Sequence, residues 1–122
     1  MMEKTLLFIY GSLKRGHLNH QRIADQVYLG DAVTAPCYRI IAIDHYGGLI
    51  RDEVTGLAVK GEIWAVSRCA LLELDDFEMG EGLWERFPVA VPGWDFVQAY
   101  FWTGDVPASV RSGDEWPFRV GE

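Results

Sequence analysis

The chain has 122 residues, of which 49% are hydrophobic and 13% aromatic, and its formal net charge is −7 at pH 7. This composition excludes a disordered chain and predicts one domain over residues 1–122 with a single core. The negative charge argues against a general role on nucleic acid or on anionic membranes, because attraction to phosphate groups would be missing. The first residues contain no long apolar run, so we expect neither a signal peptide nor a membrane span, and the cytoplasm is the expected compartment.

Short strand patterns outnumber helical patterns along the chain. Apolar runs and alternation predict strands at residues 5–10, 27–33, 38–43, 57–66, 84–91 and 97–103. Residues 11–16 are predicted to form a glycine-bounded turn and residues 46–48 a loop, and the polar tail beyond Gly104 is expected to wrap the surface. Strands in this number, largely without βαβ alternation, predict an α+β fold. Its mixed sheet is expected to curl toward a small barrel with one main helix and one short helix.

Two segments have the signals of helices. Asn19 can cap the short helix that follows the first turn. Ser67 is a good N-cap for the main helix, which is predicted over residues 68–77. Gly80 or Gly82 would end that helix.

Glu78 is the acid whose position in the main helix is unusual. At about 100° per residue, Leu71, Leu74 and Phe77 define the apolar stripe of the helix. Glu78 is i+4 from Leu74 and i+7 from Leu71, so it projects between the two leucines. A carboxylate directed toward the core loses hydration, which raises its pKa and makes it a candidate proton acceptor near neutral pH. The alternative is a helix-terminal glutamate that bends out to solvent.

The neighbouring acids are predicted to have simpler roles. Glu73, Asp75 and Asp76 fall at the edge of the helix or on its solvated face. Glu81 could form a two-carboxylate pair with Glu78, as in a glycosidase site, or lie at the solvated end of the helix.

A second candidate site follows the first strand, at Tyr10, Gly11, Ser12 and Leu13. A glycine just past a buried strand lets the backbone turn and present several free N–H groups to one point, and such a nest binds an anion such as a carboxylate. The alternative is an ordinary turn without a ligand. The basic residues that come next either form a solvated face or lie beside an anionic substrate: Lys14, Arg15, His17, His20 and Arg22.

The chain shows no sequence pattern for a metal or organic cofactor, and none is expected. Cys37 and Cys69 do not make a disulfide framework, and no CxxC or His-rich spacing exists. Apolar residues flank both cysteines, so we expect them to be small core residues.

Four blocks of sequence resemble one known family. FIYGSLKRG at residues 8–16, with Asn19 and His20, is similar to the YGTLKRGxxNH opening of the γ-glutamylcyclotransferase-like proteins, and most of all their γ-glutamylamine cyclotransferase and AIG2-like branch. GEIWAV at residues 61–66 resembles that branch's GEVYAV strand, LDDFE at residues 74–78 matches its LDDFE, and WER at residues 84–86 resembles its Y-x-R. The blocks occur in the family order between residues 6 and 102.

The resemblance implies a reaction and a site. Such enzymes cleave a γ-glutamyl amide by attack of the substrate's own α-amino group on its γ-carbonyl, which releases 5-oxoproline and a free amine. The residue matching Glu78 is the family's general acid/base, and the loop matching Tyr10–Leu13 holds the α-carboxylate through backbone N–H groups. Three further residues could lie behind those that contact the substrate and hold them in position: Glu62, Trp84 and Arg86. Glu62 otherwise faces a neighbouring strand or solvent, and Arg86 otherwise pairs with a nearby acid.

Three positions depart from the family pattern, and they lie where we expect the specificity for the leaving amine to be set. The sequence does not identify that amine. Trp84 replaces a tyrosine, Ser12 replaces a threonine, and residues 46–49 stand where relatives often have Tyr-Pro-Gly. One alternative function is a small-molecule binding or interaction protein of the same fold without turnover. Another is an amidase that uses water, for which the sequence shows neither nucleophile nor metal site. The oligomeric state is not predicted.

Overall fold

The computed structural model describes residues 3–118, so residues 1, 2 and 119–122 of the predicted domain lie outside it. The strands are β1 (Lys4–Ile9), β2 (Val27–Val33), β3 (Tyr38–Ile43), β4 (Tyr46–Arg51), β5 (Lys60–Ser67), β6 (Trp84–Pro88), β7 (Val97–Trp102) and β8 (Ser112–Gly113). The helix α1 spans Arg68–Met79, and a short 3-10 helix spans His20–Arg22.

All eight strands belong to one mixed sheet. Its order is β2-β5-β1-β7-β4-β3-β8, and β6 pairs with β7. β7 runs parallel to β1 and to β4, whereas the β1–β5, β2–β5, β3–β4 and β6–β7 pairs are antiparallel. The sheet curls into a half-barrel with one main helix, which confirms the predicted fold class.

Tyr10 joins three strands at the point where β1 and β4 part. β1 pairs with the start of β7, at Val97, whereas β4 pairs with Phe101 near its end. Just past β1, the Tyr10 hydroxyl donates to the carbonyl of Tyr100 at 2.6 Å and accepts from the N–H of Leu49 at 3.0 Å. One phenol therefore replaces the ladder hydrogen bonds that the diverging strands cannot make.

Helix α1 packs on one face of the sheet. The Ser67 hydroxyl accepts from the N–H of Ala70 at 3.2 Å, which caps the helix as predicted. Leu71 and Leu74 are buried against strand residues on that face, but Phe77 is 37% exposed, so its predicted place in the core is wrong. The apolar stripe turns away from the sheet in the last turn of α1, which extends to Met79, two residues beyond the predicted end.

The predicted loop at residues 46–48 is instead the start of β4. The turn before it is formed by Asp44 and His45, and Asp44 has φ +50°. Gly47 is needed for close packing: a Cβ there would lie 2.6 Å from the Trp116 ring and 2.7 Å from Ile40. Gly47 and Gly48 suggested a turn, but glycine is required at these positions because side chains from other elements pack closely against β4.

Two smaller predictions also differ from the structure. The predicted strand 84–91 ends at Pro88, although the N–H of Val89 still donates to the carbonyl of Val97 at 3.0 Å. Cys69 is exposed on α1, while Cys37 is partly buried. No helix within residues 3–118 has the length and apolar character needed to cross a membrane.

Candidate active site

A cavity of about 480 Å³ opens between the loop after β1, the start of β4 and the end of α1. Its walls include the two sites singled out in the sequence, Glu78 and the loop from Tyr10 to Leu13. The lining residues are Phe8, Ile9, Tyr10, Gly11, Ser12, Leu13, Tyr46, Gly47, Asp76, Phe77, Glu78, Gly80, Glu81, Trp84 and Tyr100. The fold thus brings together segments that lie more than 60 positions apart in the chain.

Glu78 lies in the last turn of α1 and faces this cavity. Burial raises its pKa from 4.5 to about 7, and the positive charge of Arg22 partly opposes that rise. No group in the described part of the chain donates a hydrogen bond to its carboxylate. Near neutral pH this group therefore exchanges a proton readily, with its lone pairs free for a ligand.

The loop after β1 presents backbone N–H groups that have no acceptor in the part of the protein that the structure describes. The carbonyl of Gly11 accepts from the N–H of Lys14 at 3.0 Å, and the carbonyl of Ser12 accepts from the N–H of Asn19 at 2.8 Å. In a trans peptide the C=O and the following N–H point in opposite directions. The N–H groups of Ser12 and Leu13 are therefore directed away from these internal contacts. Among residues 3–118, neither they nor the N–H of Gly11 has an acceptor.

Two residues of the following segment fix this loop. Asn19 donates through its side chain to the Ser12 hydroxyl at 2.8 Å, rather than capping the 3-10 helix as predicted. His20 Nδ1 lies 3.0 Å from the carbonyl of Leu13, and because a carbonyl only accepts, Nδ1 carries the proton. Asn19 and His20, the second part of the opening motif, thus stabilise the conformation of the loop formed by the first part.

Glu62 is buried and supports the far end of the same loop. Its carboxylate accepts from the backbone N–H and the Nε of Arg15, each at 3.2 Å, and from the ring N–H of Trp64 at 3.0 Å. Only 7% of Glu62 is exposed, and it does not line the cavity. The predicted alternative in which Glu62 faces solvent is therefore wrong.

Arg86 forms a local ion pair rather than lining the cavity. Its Nε and Nη2 donate to the two Asp75 oxygens at 2.9 and 3.0 Å, and the Tyr100 hydroxyl donates to the same carboxylate at 2.7 Å. These contacts leave the Asp75 side chain only 13% exposed. Asp75 is therefore at the edge of the buried face of α1 and not on its solvated face. The helix pattern could not show this, because the partners come from β6 and β7.

The remaining walls are aromatic and acidic. Trp84, at the position of the family's tyrosine, lines the cavity together with Tyr46 and Phe77. Asp76 and Glu81 add carboxylates. Among the residues described, the lining set contains no lysine, arginine or histidine.

The basic cluster is used mainly in structure. Lys14 donates to the carbonyl of Trp116, and Arg15 pairs with Glu62 and with Asp31. Arg22 stacks on the ring of Phe77, with its Cζ 3.7 Å from the ring centre. Neither Lys14 nor Arg15 lines the cavity.

Residues 3–118 contain no group of three His, Cys, Asp or Glu side chains arranged to hold a metal ion. What the cavity offers chemically is the Glu78 carboxylate together with the N–H groups of Gly11, Ser12 and Leu13, which have no acceptor among residues 3–118. Tyr46, Asp75, Asn19 and Tyr100 had no assigned place in the predicted site. Asn19, Asp75 and Tyr46 lay in segments compared with the family pattern, whereas Tyr100 had no signal in the sequence.

Comparison with known proteins finds a family model, described as gamma-glutamyl cyclotransferase, AIG2-like, that matches residues 7–118. A Vibrio cholerae protein, named as a candidate gamma-glutamylcyclotransferase, is 30% identical over 94% of this chain and 97% of its own length. The human gamma-glutamylaminecyclotransferase is 36% identical over 67% of this chain, a match that spans 58% of the human protein.

A solved structure agrees with these matches. The mouse AIG2-like protein superposes with a TM-score of 0.76 at 27% identity, over 93% of this chain and 88% of the mouse chain. The family model begins within β1 and extends to the segment after β8, and so includes all the residues that line the cavity. The chain belongs to the gamma-glutamyl cyclotransferase, AIG2-like family.

Proposed function

We propose that this protein cleaves a γ-glutamyl amide by internal cyclisation, releasing 5-oxoproline and a free amine, with Glu78 as general acid/base. The observation that carries the proposal is the pairing of Glu78 with the loop. A carboxylate with a pKa of about 7 shares one cavity with three backbone N–H groups, and within residues 3–118 neither the carboxylate nor these N–H groups have a hydrogen-bond partner. A γ-glutamyl group carries a carboxylate and an ammonium on one carbon, so it matches both features.

The loop accounts for binding at the carboxylate. Oriented N–H groups give a negatively charged ligand hydrogen bonds that are stronger than neutral ones, and they need no cationic side chain. In the proposed complex, the N–H groups of Gly11, Ser12 and Leu13 bind the substrate α-carboxylate. This would place the neighbouring α-ammonium toward Glu78.

Glu78 then accounts for the proton transfers. Ionised Glu78 takes one proton from the α-ammonium, which leaves a neutral amine with a free lone pair. That nitrogen attacks the γ-carbonyl carbon, forming a five-membered ring and a tetrahedral intermediate. Glu78 returns this proton to the leaving nitrogen as the C–N bond breaks. Glu78 then takes the second proton from the ring nitrogen and passes it to the released amine, which departs as an ammonium ion. Glu78 therefore ends the cycle ionised, and no water is consumed.

The small number of catalytic groups in this site fits an intramolecular reaction. Nucleophile and electrophile are already in one molecule, so the protein has to fold the substrate and move protons. General acid/base catalysis contributes about 10² to 10⁴ in rate. A site with one proton-transfer group is therefore sufficient for the chemistry.

The test is turnover of a panel of γ-glutamyl amines, γ-glutamyl dipeptides and glutathione, with 5-oxoproline separated by chromatography. We expect release from at least one γ-glutamyl amine and its loss in Glu78→Gln. The matched control is Glu73→Gln, on the exposed side of the same helix, which should keep full activity. No release from any compound would favour the function as a binding protein, and equal release by Glu78→Gln would contradict the proposed mechanism.

A further inference from the structure

The Ser12 side chain has a hydrogen-bond donor that faces no acceptor in the described part of the chain. Asn19 Nδ2 donates to Ser12 Oγ at 2.8 Å. A hydroxyl that accepts a hydrogen bond still has its own O–H to donate. Within residues 3–118 that O–H has no acceptor, although Ser12 lines the cavity.

Asn19 determines the direction in which the Ser12 hydroxyl donates its hydrogen bond. An amide nitrogen only donates, so the Ser12 oxygen must accept on that side and can donate only elsewhere. The backbone N–H of Asn19 also donates to the Ser12 carbonyl at 2.8 Å, so the two residues are joined at two points. An aspartate at position 19 would reverse the side-chain bond, because a carboxylate only accepts. The Ser12 proton would then turn toward residue 19.

We propose that the Ser12 O–H is a side-chain donor to the substrate α-carboxylate, and that Asn19 is a positioning residue that directs it into the cavity. The inference rests on the proposed function, in which the neighbouring backbone N–H groups bind the same carboxylate. A carboxylate has about four lone-pair sites, more than the three N–H groups can fill. A hydrogen bond to a charged group corresponds to about a 10- to 100-fold change in binding.

The test uses 5-oxoproline as the probe, because its carboxylate is the α-carboxylate of the proposed substrate. Its Kd is measured by NMR titration for wild type, Ser12→Ala, Ser12→Thr and Asn19→Asp. We expect Ser12→Ala to weaken binding about 10-fold or more and Asn19→Asp to weaken it at least as much. Ser12→Thr keeps the hydroxyl and should bind within about threefold of wild type.

Aspartate also adds a negative charge near the bound carboxylate, so the decisive measurement is a double-mutant cycle. In the Ser12→Ala background, Asn19→Asp should change the Kd by less than about threefold, because no hydroxyl remains to be turned. An equal loss in both backgrounds would overturn the role of Asn19. Ser12→Ala binding within about twofold of wild type would overturn the role of the hydroxyl. Should Asn19→Asp fail to fold, Ser12→Ala and Ser12→Thr still decide the role of the hydroxyl.

Turnover separates this inference from the proposed reaction. A wild-type protein that binds 5-oxoproline and releases none from any γ-glutamyl compound contradicts the reaction, while the cycle still tests the hydroxyl. A wild-type protein that does not bind 5-oxoproline overturns the inference, even where turnover is seen.

Discussion

Asp75 and Arg86 form a bidentate ion pair, at 2.9 and 3.0 Å, one helical turn before Glu78. The Tyr100 hydroxyl donates to the same carboxylate at 2.7 Å, so α1 is tied to both β6 and β7. Residues three apart on a helix lie on adjoining parts of its surface. The ion pair therefore fixes the part of α1 from which Glu78 enters the cavity.

Replacing Asp75 should destabilise the protein measurably. Asp75→Ala leaves the guanidinium of Arg86 and the hydroxyl of Tyr100 without their shared partner in a largely buried place. Because the pair is partly solvated, we expect a loss of about 2 kcal/mol in the free energy of unfolding, below the range for fully buried pairs. Urea denaturation measures it. The neighbouring exposed acid gives the control: Asp76→Asn should change stability by less than about 0.5 kcal/mol, and equal losses would contradict the structural role of the pair.

Ionisation of Glu78 should lower the free energy of unfolding at alkaline pH. Its pKa is about 7 in the folded protein and 4.5 as the ordinary value, so the folded state binds more protons between these pH values. Stability therefore falls as the pH rises from about 4.5 through about 7, and ionised Glu78 costs at most about 3 kcal/mol above that range. Glu78→Gln should raise the Tm at pH 8 and leave it nearly unchanged at pH 4. An equal shift of Tm at the two pH values would contradict this.

The same group should set the acidic limb of the pH profile for kcat/KM. Activity is expected to rise as Glu78 ionises, near pH 7. The charge of Arg22 lowers the pKa of Glu78, so Arg22→Gln should move the limb to higher pH, and Arg22→Lys should leave it closer to wild type. The other titratable groups around the cavity are Tyr10, Tyr46, Tyr100, Asp76 and Glu81. Burial is the main cause that raises the pKa values of Tyr10 and Tyr100, and both stay neutral throughout this range.

A profile that Arg22→Gln does not move would show that another group controls the limb. Because Arg22 is exposed, high salt should reduce the difference between Arg22→Gln and wild type.

Two glycines of the cavity wall should respond differently to alanine. A Cβ at Gly11 meets no atom within 4 Å, whereas one at Gly47 would lie 2.6 Å from the Trp116 ring. Gly47→Ala should therefore destabilise the fold by about 1–3 kcal/mol. Gly11→Ala should keep the stability but raise KM, because its methyl group occupies open space in the proposed carboxylate site. Thermal melts and kinetics of both variants check this, and a large loss of stability in Gly11→Ala would contradict it.

The difference between these glycines shows what the sequence could predict and what it could not. Gly11 ends a buried apolar run, and that local pattern located the loop. Gly47 and Gly48 looked like a loop too, but they are glycines because Trp116, Trp102 and Ile40 pack over β4, and those residues lie far away in the chain or on another strand. Local patterns thus give turns and element types, while close packing between distant segments stays invisible.

The same limit applies within the candidate site. Helical periodicity located Glu78, since it depends only on residues 71–78. It misplaced Phe77, which lies under Arg22. It also missed the partners of Asp75, which are Arg86 and Tyr100. Each error concerns a side chain whose position is decided by a contact from another element.

The acidic rim of the cavity should select among leaving amines. Asp76 and Glu81 line it with Glu78, and the lining residues within 3–118 include no cation. A carboxylate on the leaving amine would be repelled by these charges. A neutral amine would not be repelled, and a cationic amine would be attracted.

A matched pair of substrates tests this selection: the γ-glutamyl amides of butylamine and of 4-aminobutyrate, which have similar length. We expect kcat/KM to be about 10-fold higher for the butylamine amide, a difference of about 1.4 kcal/mol. The Asp76→Asn, Glu81→Gln double variant should narrow the gap by improving the carboxylate-bearing amide, and high salt should narrow it in wild type. Equal kcat/KM values for the two amides in wild type would show that the rim charges do not select the amine, and the choice would then depend on the shape of the aromatic wall at Trp84, Tyr46 and Phe77.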